Sequence, residues 1–164
     1  MSMKQTKPKR QKYNLGSIIA IPLPEGKFAF AKIYRDQDFA IFDLVLEHIP
    51  DATVVINTPI LFFHAGTHDA IKKGLWPVIG EQPFAEQEEA WGPPKATCYR
   101  RATNEWTMGG IPRIDHKGQM WTATLEQVQG MEIMKVSPTV EGFVWTIVGR
   151  LINGNHEEYK VRAS

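Results

Sequence analysis

The residues that could do chemistry are few and scattered. His64 and His68 stand four apart with Asp69 adjacent, a spacing that would hold a divalent cation if all three shared one helix. Gly66 argues against this, because it divides the segment into a strand end and a helix start. No Glu follows the first His, as a metalloprotease motif requires. The expectation is one His at a strand end, another beside a helix cap, and no metal. Cys98 is the single cysteine and stands beside Tyr99, Arg100 and Arg101. Two guanidinium groups would depress its pKa, the first requirement of a thiolate nucleophile, whereas a lone thiol in a strand-like run reads as buried and inert. It has no cysteine partner for a disulfide or for zinc. Neither a G-x-S-x-G elbow, a phosphate-cradling glycine loop nor a dinucleotide fingerprint occurs. No catalytic residue and no cofactor is expected.

The five tryptophans offer binding rather than chemistry. Trp76, Trp106, Trp121 and Trp145 fall in apolar runs, where core packing is the ordinary explanation. Trp91 lies instead in an acidic stretch, between Glu89 and Gly92-Pro93-Pro94, where its ring is available to a partner.

The elements that must position these residues begin with a meander. Ser17 to Leu23 reads as a strand, closed by the turn Pro24-Glu25-Gly26, with Lys27 to Arg35 as its hairpin partner. In that second run Phe28 and Phe30 alternate with Ala29, Ala31 and Ile33, a small-and-large layering that suits a tightly curved sheet. Asp36-Gln37-Asp38 is a polar turn before a third strand, Phe39 to Leu46. Thr53 to Ile56 and Pro59 to His64 are β-branched or apolar enough for further strands, with Pro59 at a strand start. Thr67 caps a short helix over residues 68 to 73, with Gly74 just past its end. Trp76-Pro77-Val78-Ile79-Gly80 should re-enter the core.

From Glu81 to Pro94 acidic residues alternate with prolines, and the stretch reads as a surface connector between two halves. Thr97 to Met108 and Pro112 to Ala123 resemble strands, with turns at Gly109-Gly110 and Asp115 to Gly118. Thr124 starts a short helix closed by Gly130. Ser137-Pro138 reads as an N-cap and first helical residue. Val140, Phe143, Val144, Ile147, Val148 and Leu151 then fall on one face of a helix running to about Ile152. The fold class expected is α+β: a curved antiparallel sheet or partial SH3-like barrel with short helices and a long C-terminal helix.

The formal net charge of +1 conceals an asymmetry. Lys4, Lys7, Lys9, Arg10 and Lys12 precede the first acid, Glu25. The remainder holds 14 basic against 18 acidic residues, about −4. Residues 1–11 read as a disordered basic leader and 12–164 as a single domain. The acidic body argues against a nucleic-acid surface there. No apolar run reaches the roughly 18 residues of a spanning helix, and the basic start lacks an apolar signal core, so a cytoplasmic protein without membrane attachment is expected.

Two blocks carry a resemblance. Residues Lys12 to Leu23, followed by Gly26 to Ile33, resemble the opening of the immunity protein 26 family, with a basic, tyrosine-containing lead-in, an "FAIPL" strand, a Gly turn and a "YAFGRV" strand. His68-Asp69-Ala70-Ile71-Lys72-Lys73-Gly74-Leu75-Trp76-Pro77-Val78-Ile79-Gly80 is similar to its "HDxAIKxGxWPxIG" stretch. Ser17 stands where the family often has Asp, and Ala31 where it often has Gly. The resemblance implies a non-enzymatic antitoxin that binds and neutralises a cognate polymorphic or contact-dependent toxin domain, for instance a basic nuclease, by stoichiometric occlusion. A nucleic-acid-binding module of SH3-like type, or a small enzyme, is the competing reading. For a basic partner the binding surface is expected on the acidic connector, at Glu81, Glu86, Glu88, Glu89 and Trp91, with clustered carboxylates for fast capture and an aromatic anchor for slow release.

Overall fold

A computed structural model describes residues 9–97 and 112–161. Strands β1 (Ser17–Pro22), β2 (Phe28–Ile33) and β3 (Asp38–Leu46) form the expected antiparallel meander. Helix α1 (Ala52–Ile56), strand β4 (Ile60–Gly66), helix α2 (Asp69–Lys72) and strand β5 (Val78–Glu81) follow. Next come a three-stranded sheet of β6 (Lys95–Thr97), β7 (Arg113–His116) and β8 (Gln119–Thr122), then α3 (Leu125–Val128), β9 (Val136–Ser137) and α4 (Val140–Ile147). The larger sheet has the order β5-β1-β2-β3-β4-β9, with β9 parallel to β4 and the other neighbours antiparallel. Register shifts in the β1–β5, β2–β3 and β3–β4 pairings supply the curvature that the small-and-large layering implied. β5 and β9 end the sheet on opposite sides, so among the described residues it is curved but not a closed barrel.

Both faces of this sheet are covered, which accounts for the near-continuous apolar runs of β1 to β3. One face carries Ile19, Ile21, Ala29, Ala31, Phe39 and Ile41 against α2, Trp76 and the Phe143–Ile147 side of α4. The other carries Ile18, Ala20, Phe30 and Phe42 against Val55 of α1. Gly66 lets α4 approach, since a Cβ there would lie 2.3 Å from the Phe143 ring. A third, smaller core joins Ala96, Ala123, Val128 and Val161 beneath the second sheet.

Several expectations need correction. Thr53 to Ile56 is helical rather than extended, because the Asp51 carboxylate accepts hydrogen bonds from the Thr53 N–H and hydroxyl and caps a turn that overrides β-branched preference. The last helix is capped by Thr139, whose hydroxyl accepts from the Gly142 N–H, not by Ser137. Ser137 lies in β9 opposite Gly66. The helical path does continue to Ile152, through a π-helical stretch over Val148–Ile152 that turns Arg150 inward. There Arg150 is buried, paired with Glu132 and stacked between the rings of Phe62, 3.7 Å away, and Tyr159, 4.4 Å away.

Trp76 is buried as expected, whereas Pro77 and Ile79 are half-buried. Trp145 is 72% exposed and Trp121 46%, against their assignment to the core. Gln11, assigned to the leader, is tied down instead. Its backbone N–H donates to the Lys72 carbonyl, and its side chain bridges the Trp76 carbonyl and the Val78 N–H. Cys98 to Arg101, Trp106, the turn at 109–110 and most of the strand expected over 97–108 lie outside the described residues.

Candidate functional site

The acidic connector is a strap across one end of the larger sheet. It leaves β5 at Glu81, crosses the start of β1 through a Gln82 N–H to Gly16 carbonyl bond, and passes the end of β2 and the β2–β3 turn. Lys32 holds it there by donating to the Gln82 side chain at 3.0 Å and lying 4.1 Å from the Phe84 ring. A 3-10 turn over Gln87–Ala90 follows, and the Arg35 N–H binds the Ala90 carbonyl at 2.8 Å. The strap then meets the sheet at Gly92, where a Cβ would lie 2.2 Å from Asp38 Oδ2 and 3.1 Å from Phe63. Only glycine permits that approach.

Glu81, Glu86, Glu88 and Glu89 are all exposed on this strap. Their environments differ. Glu81 accepts from the Asn14 side chain, and Glu88 is paired with Lys117 at the tip of the β7–β8 hairpin, which holds its carboxyl below the usual range. Glu89 faces Lys32, whose pKa is lowered by burial and partly restored by that carboxylate. Trp91 is half-buried, with the Arg35 guanidinium 6.0 Å from its ring.

Behind the strap a buried ion pair joins the two sheets: Lys95 Nζ of β6 lies 2.8 Å from Asp38 Oδ1 of β3. The same Asp38 oxygen accepts the Phe39 N–H. Burial raises the Asp38 pKa, and Lys95 pulls it back in part. The pair lines a cleft with Arg35, Asp36, Trp91 and Asp115. Asp115 is also pushed up, by burial and then by the facing Asp36 carboxylate. Sequence reading misses this group because Asp38 reads as part of a turn and Lys95 falls between the connector, ending at Pro94, and the strand expected from Thr97. The one available signal was a charged residue at each margin of an apolar strand.

His64 lies on β4 and His68 at the start of α2, the places expected of them. His64 on β4 is 3% exposed, bonded through Nε2 to Ser137 Oγ at 2.7 Å, with its ring edge-on to Phe143. His68 meets Tyr13 and Phe39 edge-on, and its Nδ1 lies 3.1 Å from the Tyr13 hydroxyl. No cluster of three His, Cys, Asp or Glu side chains suited to a metal occurs among the described residues. Burial, aided by the positive charges of Lys95, Arg150 and Lys135, lowers the His64 pKa to about 3. A folded-state pKa below the unfolded value means that the unfolded chain binds the proton more readily. The stability His64 contributes is therefore complete above pH ~6.5 and lost as pH falls. Urea unfolding should show a loss of about 1 kcal/mol between pH 6.5 and 5.5 from this group, and His64→Gln should flatten that slope.

The fold is an α+β domain: a sheet covered on both faces, with a carboxylate-bearing strap fixed across one end. The immunity protein 26 family model matches residues 14–102, more than half of the chain, and the chain belongs to that family. The match includes the meander, α2, β5 and the whole strap. No curated protein and no solved structure matches. Immunity proteins of this kind are generally non-enzymatic and act on a protein toxin.

Proposed function

We propose that this protein neutralises a cognate toxin domain in the cytoplasm by stoichiometric occlusion, and that the strap is its docking surface. The observation that carries the reading is the fixed placement of four exposed carboxylates, Glu81, Glu86, Glu88 and Glu89, on a segment pinned to the sheet by Lys32, Arg35 and Gly92. A strap ordered before binding loses little entropy on capture, and clustered negative charge accelerates association with a basic protein. A basic nuclease fits this charge, since these carboxylates would compete with substrate phosphates for its cationic cleft. Gln11 belongs to the binding unit, because it ties α2 to β5.

Charge reversal of Glu86, Glu88 and Glu89 to Lys should lower the association rate by about tenfold or more at low salt and weaken its salt dependence. Trp91→Ala should act mainly on dissociation, by less than a fully exposed anchor would. Stopped-flow binding to the cognate toxin domain measures both. Kinetics indifferent to all four changes would remove the strap from the interface.

A further inference from the structure

The segment before β1 gathers basic residues from two parts of the chain into one surface. A Cβ on Gly74 would lie 2.3 Å from the Lys9 carbonyl oxygen, so residue 9 presses directly on the turn after α2. The Gln11 N–H donates to the Lys72 carbonyl at 3.2 Å, and the Gln11 side chain bridges the Trp76 carbonyl and the Val78 N–H. Residues 9–12 are therefore laid against residues 72–78, which brings Lys9, Arg10 and Lys12 beside Lys72 and Lys73. All five are exposed, and none forms a salt bridge among the described residues. Asp69 is the one acid on these stretches, and it makes no ion pair with them. The fold does not need the cluster, since the bonds that hold this segment come from its backbone and from Gln11. Like charges held together repel one another, and an anionic surface relieves that repulsion.

The position of this basic rim relative to the strap narrows the partner. β5 is an edge of the larger sheet, with the rim tied to its first residue, Val78, and the strap leaving its last, Glu81. Three residue steps along a strand span about 10 Å. Asn14, two residues after Lys12, donates to the Glu81 carboxylate at 3.2 Å and joins the two surfaces. The β5 edge thus carries positive charge at one end and negative charge at the other. A standard protein interface covers about 800 Å² per partner, equivalent to a disc about 30 Å across. A toxin seated on Glu81 and the strap therefore also faces the rim, where a uniformly basic surface would be repelled.

We infer that Lys9, Arg10, Lys12, Lys72 and Lys73 form the second half of the docking surface and receive a carboxylate-rich patch of the toxin. The inference rests on the immunity reading above and deepens it. The strap attracts a basic toxin, and the rim fixes its orientation and rejects basic proteins that lack the acidic patch.

The test uses the full chain and the cognate toxin domain. Arg10→Glu, Lys72→Glu and Lys73→Glu together leave Gln11 and the buried residues untouched, so the urea midpoint should stay close to that of the wild type. Stopped-flow association should slow by about tenfold or more at low salt, and the difference should shrink as salt is raised. Lys9→Glu with Lys12→Glu, which leave α2 intact, should act in the same direction. If the wild type binds and both variants bind at its rate, the rim lies outside the interface, and the inference fails while the immunity reading stands. Faster or tighter binding by the variants would show that the rim only repels a basic toxin, and would overturn the inference equally. A short RNA or DNA duplex that is retained by the wild type and released by the variants, with toxin binding unchanged, would assign the rim to nucleic acid instead. Absence of wild-type binding to the toxin would overturn both the inference and the reading beneath it.

Discussion

Replacing Lys95 by methionine is expected to lower stability by about 3–5 kcal/mol at neutral pH, because it leaves the Asp38 carboxylate buried without a counter-charge. Both side chains are enclosed, at 6% and 11% exposure, so solvent screens the pair little. The pH dependence gives the cause away. Burial already raises the Asp38 pKa in the folded protein, and losing Lys95 raises it further. A folded-state acid with a raised pKa takes up a proton more readily than the unfolded chain does. The deficit of Lys95→Met should therefore shrink as pH falls through the Asp38 pKa and be largest above it. Combining Asp38→Asn with Lys95→Met should recover most of the loss, since the neutral amide can still accept the Phe39 N–H. Urea denaturation of the three variants at neutral and mildly acidic pH checks this. A deficit that does not change with pH would mean that lost packing, not an unpaired charge, is responsible.

Trp76→Ala should be comparably severe, at about 3–5 kcal/mol, as a large-to-small change in a closed core. Trp76 is 2% exposed, and its ring lies 5.3 Å from that of Phe143 and 6.4 Å from that of Phe39. It joins the segment between α2 and β5 to α4, so its loss loosens three elements at once. Trp145→Ala serves as the control, because that ring is 72% exposed and its removal should move the denaturant midpoint little. Equal midpoints for the two variants would refute the placement of Trp76 in the core.

Much of this architecture is written locally in the sequence. The β1–β2–β3 meander follows from alternating residues and turn chemistry, the α3 start from the Thr124–Gln127 capping box, and the β7–β8 hairpin from its Lys117-Gly118 turn. Errors arose where a single side chain outweighed a local tendency, as when Asp51 caps a β-branched run into helix. They also arose where a residue serves a distant strand, as when Ser137 pairs with Gly66 and His64 instead of capping α4. The acidic strap was legible as composition, and its four glutamates are exposed. Its attachment was not, because Lys32, Arg35, Lys95 and Lys117 come from four separate elements and converge only in the fold. The exposure of Trp121 and Trp145 was equally invisible, since an apolar neighbourhood in sequence does not say which face of an element finds a partner.

The central claim is inhibition by occupancy, and titration tests it most directly. The purified protein is added stepwise to a fixed amount of the cognate toxin domain, while toxin activity and complex formation are followed together. The account predicts that activity falls linearly and ends at the equimolar point, with a one-to-one complex accumulating in step. Inactivation of the toxin by a small fraction of an equivalent, or full toxin activity in the presence of excess protein, would contradict it.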